Sequence, residues 1–410
     1  MLISIFLRSI WSRKLMAGLT CVSIAISMFV LLSVAHIQGQ IRQSFERSVS
    51  GVDLIVASRT SQLNLLLFSV YQIGYATHTL SWQSYLALQH NPQVDWAIPL
   101  AMGDSYAGKA VVGTTKDFFQ HYKFANKRSL HFSQGERFER VFEVVVGAQV
   151  AQDLDLKLQQ NLVLAHGTGK VSFTKHNDHP FTVVGILAPT GTPVDRTIYV
   201  PIEAIDAIHA HEPHANELLS QAQVDTNDMG LTAVLVAASS KMGILSLQRQ
   251  INQNVDEALS AILPAVALQE LWQLMDVVEQ SLQLISWLVL AAAMLGLITM
   301  LLASMLERRK ELLVLRALGA KASLIVLLIE GEALTITLLG CVFGYVLLTV
   351  GLHVAAPYVL QYFGLAIEVM PTFTTLLRFS GFALVIAALL ALIPALLAYK
   401  QSLARGLQVN

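Results

Sequence analysis

Apolar and polar residues along this chain fall into two regimes. In the first, apolar residues run almost unbroken for the length that a helix needs to cross a bilayer, about 20 residues for a hydrocarbon core of about 30 Å. Four stretches meet that length: 15–37, 284–306, 333–356 with apolar residues 323–329 just ahead of it, and 379–398. The second regime is 38–283, where apolar residues alternate, or recur at helical spacing, between polar loops. Strand-like runs there are 51-GVDLIVAS-58, 141-VFEVVVG-147, 181-FTVVGIL-187 and 231-LTAVLVAA-238. Helical periodicity marks 148-AQVAQDLDLKL-158 and 241-KMGILSLQRQINQNVDEALSAI-262. Residues 38–48 continue the first apolar helix outward, and 266–283 lead as one helix into the second span. These two stalks would carry the mixed α/β segment and pass membrane movement to it. That segment divides into two expected subdomains, about 50–115 with 230–265, and 116–229 as an insertion.

Charge placement orients the spans, because basic residues gather on the cytoplasmic side. Residues 1–14 hold Arg8, Arg13 and Lys14, residues 307–321 hold five basic residues, the tail 399–410 holds Lys400 and Arg405, and 357–378 holds Arg378 alone. Both termini and 307–321 are therefore expected to be cytoplasmic. The expected fold is a membrane protein of four transmembrane α-helices, 15–37, 284–306, 322–356 and 379–398. A large mixed α/β extracytoplasmic domain, 38–283, is inserted between helices 1 and 2, and 357–378 is a short extracytoplasmic loop. The first span runs too long for the apolar region of a signal peptide, and 33-SVAHIQGQ-40 offers no A-x-A site, so it reads as an uncleaved anchor.

Composition fits this layout. Charged residues make up 13% of the chain and hydrophobic ones 54%, against about 25% charged in a typical soluble domain. The net charge of −1 says nothing about nucleic acid by itself, and no basic domain occurs, so no nucleic-acid partner is expected. Cys21 and Cys341 both fall in apolar runs, so no disulfide framework exists. Two stretches imitate phosphate-binding loops. In 103-GDSYAGKA-110 the spacing G-x-x-x-x-G-K is present, but Ala110 stands where a Ser or Thr would hold Mg²⁺, and strand-like residues follow instead of a helix. In 167-GTGKVS-172 the first glycine is misplaced. No nucleophile elbow and no H-E-x-x-H occurs.

Five charged residues in a row, Glu307 to Glu311, separate the second and third spans. In a helix, Leu312, Leu315 and Leu318 share one face at spacings of three, and Gly319 sits where a left-handed residue would turn the chain back. The segment 307-ERRKELLVLRALGA-320 resembles the coupling segment of FtsX-like permeases, the membrane subunits of MacB/LolC-type (type VII, mechanotransmission) ABC transporters. Glu307, Arg308, Glu311, Leu312, Leu315, Arg316, Ala317, Leu318, Gly319 and Ala320 match the family pattern, with Arg309 beside them. Glu330, Gly340 and Gly344 fit the third span. The tail 393-IPALLAYKQSLARGL-407 resembles the family's closing segment, departing from it at Ala404 and at Gly406-Leu407.

The resemblance implies a non-catalytic permease subunit of the bacterial inner membrane. A separate dimeric ATPase would bind ATP and Mg²⁺ and dock on Glu307, Arg308, Arg309, Glu311, Leu315, Arg316, Leu318, Gly319 and Ala320, and this chain would bind no cofactor itself. Further expected partners are membrane lipid, a second permease copy or sister permease, and a periplasmic or lipoprotein partner. The cargo is expected to be lipoprotein, lipid or peptide. Metal handling and regulation of a periplasmic enzyme are the alternatives.

Four further features carry expectations. A charge at mid-bilayer costs about 2.5 kcal/mol or more, so Glu330 and Glu332 are expected near the cytoplasmic interface. There Glu330 would pair with Arg308 or Arg316 and anchor the plug, with solvation or a proton relay as rivals. Gly340 and Gly344, and the stripe Ala383, Ala387, Ala391 and Ala395, allow close helix approach, either within one subunit or between two. His176, His179, His209, His211 and His214 could hold zinc if they converge, and ordinary surface loops are the alternative. The apolar stretch 63-LNLLLFSVYQIGY-75 reads as a core element or as a lipid or partner contact, and 185-GILAPTGTPVDRTIYVP-201 as a shaped loop for partner contact.

Overall fold

The computed structural model describes residues 14–48, 50–125, 127–166, 180–209, 230–308, 314, 321–363 and 368–406. Helix α1 (Lys14–Ser48) opens them, followed by β1 (Leu54–Ser58), α2 (Gln62–Tyr71), β2 (Leu80–Ser81) and α3 (Trp82–Gln89). Next come β3 (Val94–Tyr106), β4 (Lys109–Thr114), α4 (Asp117–His121), β5 (Lys123–Phe124), β6 (Arg128–Ser129) and β7 (Phe132–Gly135). Then follow β8 (Glu143–Val146), α5 (Ala148–Asp153), β9 (Asn161–Leu162), β10 (Ala165–His166), β11 (Phe181–Leu187), β12 (Thr197–Pro201) and α6 (Ile202–His209). Strand β13 (Gly230–Leu231), β14 (Ala233–Ala238), α7 (Ile244–Asn252) and β15 (Leu259–Ile262) lead to the helices α8 (Pro264–Glu307), α9 (Ala322–Phe363) and α10 (Phe373–Gly406).

The chain forms two compact units. The first holds the described residues of 1–40, 276–357 and 367–410. Among the described residues, four helices are long and apolar enough to cross a membrane: α1, α8, Ser323–Val359 of α9 and Phe373–Leu397 of α10. Their shared core joins Ile24, Met28 and Leu31 of α1, Leu290, Met294 and Leu297 of α8, and Ile325, Ile329 and Ile336 of α9. Lipid tails are as apolar as these side chains, so close packing and polar contacts hold the bundle rather than any aversion to water. Two glycines set the closest approach. A Cβ on Gly340 would lie 2.6 Å from Ile24 Cγ2, and one on Gly344 would lie 2.7 Å from the Ala25 carbonyl and 2.8 Å from Met28 Cβ. Both glycines therefore serve the α9–α1 contact inside one subunit, which settles the alternative left open by their spacing. Ala383, Ala387, Ala391 and Ala395 are likewise fully buried. Ser27 Oγ donates to its own helix at Ser23 O (2.8 Å) and lies 3.3 Å from Val289 O, joining α1 to α8. Trp287 of α8 meets Phe382 of α10 edge-on at 5.0 Å.

The second unit holds the described residues of 41–275 and 358–366. Its centre is one mixed sheet in the order β15-β1-β14-β3-β4-β12-β8-β11-β7, with β10 against β3 and β9 against β11. The expected division into two subdomains is corrected here. Strands from 54–114 and 233–262 form one half and most strands from 132–201 the other, but the parallel β4–β12 ladder, Ala110↔Thr197 to Thr114↔Pro201, fuses them into one sheet, and β10 crosses over to pair with β3. The reason lies in the sequence of the seam. Val111–Thr114 and all of β12 are buried, so neither half ends in a solvated edge there. Helix α2 covers β1 with buried Leu65, Leu66 and Phe68, which makes 63–71 a core element.

Two element expectations also change. Residues 241–262 do not form one helix: a single 3₁₀ turn leads into α7, which stops at Asn252, and 259–262 is the strand β15. Val255 is 95% exposed, so the buried helical stripe of Leu247 and Ile251 has no third member. Asn252 then reverses the chain, its Oδ1 accepting the Ala261 N–H at 2.6 Å. Helix α5 stops at Asp153, two residues before Asp155 turns left-handed at φ 47°. The phosphate-loop look-alike 103–110 is a hairpin between β3 and β4. Ala107 and Gly108 form its two-residue tip at φ 49° and 77°, the backbone that a type I′ turn demands.

The glycine contacts carry a test. Gly344→Leu forces a side chain into α1, and overpacking of this kind costs about 1–3 kcal/mol. The thermal midpoint of the detergent-solubilised chain should fall. Gly381→Ala, where a Cβ meets nothing within 4 Å, should leave it unchanged.

Candidate functional site

The candidate coupling segment begins where α8 ends. Glu307 closes the helix, and the Arg308 N–H bonds back to Ser304 O at 3.1 Å. Of the expected docking residues, Arg309, Glu311, Leu315, Arg316, Leu318, Gly319 and Ala320 lie outside the described residues. Val314, between them, is helical and exposed.

Arg308 turns inward rather than outward. Its Nη1 stands 3.6 Å from Glu332 Oε2, with the two side chains 16% and 4% exposed. At that distance the contact is an ion pair rather than a hydrogen bond. The pairing of Arg308 with Glu330 expected from the sequence is thus not made, and Arg316, the other expected partner, lies outside the described residues. Helical geometry explains the choice. Two residues turn a helix by about 200°, so Glu330 and Glu332 point in nearly opposite directions. Glu332, Ile336, Gly340 and Gly344 recur at spacing four along the face that packs on α1 and α8, and Glu330 falls off it. The phase of the glycines, read back one and two turns along α9, is the sequence signal that would have singled out Glu332.

A second constellation fixes the far ends of the two long helices within the α/β unit, and sequence reasoning passed it over. The last carbonyls of a helix have no partner within it. In α1 they are met from the domain: Tyr71 Oη donates to Phe45 O at 2.7 Å, Tyr122 Oη to Ser48 O at 2.6 Å, and the Ala125 N–H to Arg47 O at 2.9 Å. Burial pushes the phenols of Tyr71 and Tyr122 well above the ordinary tyrosine value, so both remain hydroxyl donors. Helix α8 joins through Trp272. Its ring meets Phe45 edge-on at 5.6 Å and lies under the Arg42 guanidinium at 5.5 Å. Phe45 also packs on Tyr71 at 4.4 Å. A single aromatic residue in each of the two helical stretches 38–48 and 266–283 is the trace of this junction in the sequence.

In the membrane unit, the chain between α9 and α10 is tied to α1. The His36 ring donates from Nε2 to Glu368 O at 2.7 Å, and Gln40 Oε1 accepts the Glu368 N–H at 3.3 Å. The metal expectation finds no footing to be judged on. His176, His179, His211 and His214 lie outside the described residues, and His209 ends α6. No group of three metal-ligating residues occurs among the described ones.

The Arg308–Glu332 pair generates a test. Removing one partner of a buried ion pair costs about 3–5 kcal/mol, because the other charge is left buried alone. Glu332→Ala should therefore lower the thermal midpoint of the solubilised chain far more than Glu330→Ala. The double replacement Arg308→Met with Glu332→Leu should recover most of the loss.

Comparison with known proteins gives two family matches. Residues 17–254 match the MacB-like periplasmic core domain, and residues 284–403 match the FtsX-like permease C-terminal region. Among solved structures, the periplasmic region of MacB from Actinobacillus actinomycetemcomitans aligns at 11% identity and a TM-score of 0.34, covering 55% of this chain and 94% of that one. The extracellular domain of the noncanonic ABC-type transporter YknZ from Gram-positive bacteria aligns at 16% identity and a TM-score of 0.30, covering 52% and 98%. Both alignments are too loose to carry weight. A search among curated proteins finds no match. The two family matches and the four apolar helices stand without them: the chain belongs to the FtsX-like ABC transporter permeases that carry a MacB-like periplasmic core domain after their first membrane helix.

Proposed function

We propose that this permease subunit transmits the motion of a partner ATPase dimer across the bacterial inner membrane to its α/β domain, and acts there on a lipoprotein, lipid or peptide. Both termini and the segment 307–321 face the cytoplasm, where ATP is available. The ATPase docks on 307–320, and the chain itself performs no hydrolysis.

One observation carries this reading. Helix α8 is a single element of 44 residues, about 66 Å at 1.5 Å per residue. It starts one residue after β15, an edge strand of the sheet, and ends at Glu307, the first residue of the candidate coupling segment. A push on that segment enters the rod at one end, and the sheet receives it at the other. Helix α1 is a second rod, shared by both units and capped by domain hydroxyls at Phe45 and Ser48. The Arg308–Glu332 pair supports the same reading, since it ties the first residue beyond α8 to α9. Docking would then load both helices together.

Two sets of variants test the proposal. Arg316→Ala and Glu307→Ala should insert into the membrane normally, yet lose a co-purifying ATPase identified by mass spectrometry of detergent pulldowns. Undiminished recovery of the ATPase with both variants would remove the docking role. Trp272→Ala should retain the ATPase at wild-type level, while any ATP-dependent change in protease susceptibility of 38–283 shrinks. An unaltered change in that variant would remove Trp272 from the transmission route.

A further inference from the structure

The α/β unit contains a cavity of about 380 Å³ beside the capped end of α1. That volume lies within the range of about 300–1,000 Å³ typical of small-molecule sites. Phe45, Tyr71, Ile73 and Pro193 give it apolar walls, and Lys109 and Arg196 contribute cations. The two cations are not alike. Lys109 is ion-paired to Asp153, and both side chains are 16% exposed. The carboxyl of Asp153 is opposed by burial but held below its ordinary value by hydrogen bonds from Lys109 and Gln149 and by the charges of Lys109 and Arg196. Arg196 itself has no ion-pair or side-chain hydrogen-bond partner among the described residues. Lys109 is offset by Asp153, and the Asp195 carboxylate is taken up by hydrogen bonds within its own loop, so Arg196 is the lining cation that no ion pair holds among the described residues.

The walls around that charge are built. Loop 190–196 closes on the buried carboxylate of Asp195, which accepts the Thr190 N–H at 2.9 Å, the Gly191 N–H at 2.7 Å and the Thr190 hydroxyl at 2.8 Å. Gln72, left-handed at φ 56°, caps α2 and donates from its side-chain amide to the hydroxyl of Thr197, the residue after Arg196. Arg196 is thus presented from a fixed turn. A partly buried guanidinium is a planar array of donors matched to carboxylate and phosphate oxygens.

We propose that this cavity binds a small amphiphilic anion, its carboxylate or phosphate held by Arg196 and its apolar body packed against Phe45, Tyr71, Ile73 and Pro193. A ligand there touches the β3–β4 hairpin from one half of the sheet and loop 191–196 from the other, next to the end of α1. Its occupancy would bear on the part of the domain where the rod is fastened. The site is independent of the coupling segment, and its test needs no ATPase.

The full chain in phosphatidylcholine nanodiscs is dialysed against radiolabelled octanoate, octyl phosphate or octanol. Partition into lipid is measured for each probe on empty nanodiscs and subtracted before probes or variants are compared. At least one acid should bind the wild type more tightly than octanol does, and the tighter of the two identifies carboxylate or phosphate as the natural headgroup. Arg196→Gln should weaken the acids by about tenfold or more, the loss expected for a charged hydrogen bond, and leave octanol unchanged. Arg196→Lys should retain part of the binding. Ile73→Glu, at a position 53% exposed on the rim, should also repel both acids and carries the test if Arg196→Gln fails to fold. Acid binding no stronger than octanol binding, or acid binding that survives both Arg196→Gln and Ile73→Glu, overturns the proposal.

Discussion

In hydrocarbon, every backbone N–H and C=O must find its partner within the protein, so a spanning helix satisfies them along its own hydrogen-bond ladder. This requirement makes a membrane span stiff as well as apolar. Helices α1 and α8 keep the same unbroken ladder past the apolar stretch and into the α/β unit, 35 and 44 residues in all. Most of the functional reading depends on this continuity. A loop between span and domain would absorb movement in its torsions, whereas a helix resists bending at every hydrogen bond. Each rod is also fastened at its domain end. Tyrosine hydroxyls close the carbonyls of α1, and Trp272 joins α8 to Phe45 and Arg42.

The end of the bundle where α8 gives way to α9 uses a different force. Lipid gives apolar helices little reason to choose one another, so short contacts and charges fix their register. Gly340 and Gly344 seat α9 on α1, and on the same face Glu332 receives Arg308. Buried ion pairs add little net stability over apolar packing, but they tolerate only one arrangement. Here that specificity ties the first residue beyond α8 to α9.

The sequence disclosed the parts governed by simple periodicity. Four apolar runs became four helices, and 54–58, 143–146, 181–187 and 233–238 are strands within the stretches where alternation or apolar runs placed them. Reasoning failed where a tertiary partner decides the outcome. Residues 259–262 carry no helix breaker, yet pair with β1 because Asn252 turns the chain back onto the sheet. The two-subdomain reading missed that β4 and β12, far apart in sequence, share a ladder. Glu330 was preferred to Glu332 because it fits a family pattern, although the spacing-four phase running back from Gly344 already pointed to 332. The Phe45–Trp272 junction joins residues more than two hundred positions apart, which no local pattern reveals.

The central claim is that α8 acts as a rod between the coupling segment and the sheet. It is tested most directly by breaking the rod. Two glycines inserted between Gln280 and Ser281 leave both ends of the helix intact but interrupt the ladder. Spin labels at Val255 and Leu327, in a chain lacking Cys21 and Cys341, report the distance between the two units with the ATPase partner bound. ATP with vanadate should shift that distance in the uninterrupted chain and leave it unchanged in the interrupted one, with ATP hydrolysis preserved in both. An equal shift in the two chains would contradict transmission through α8.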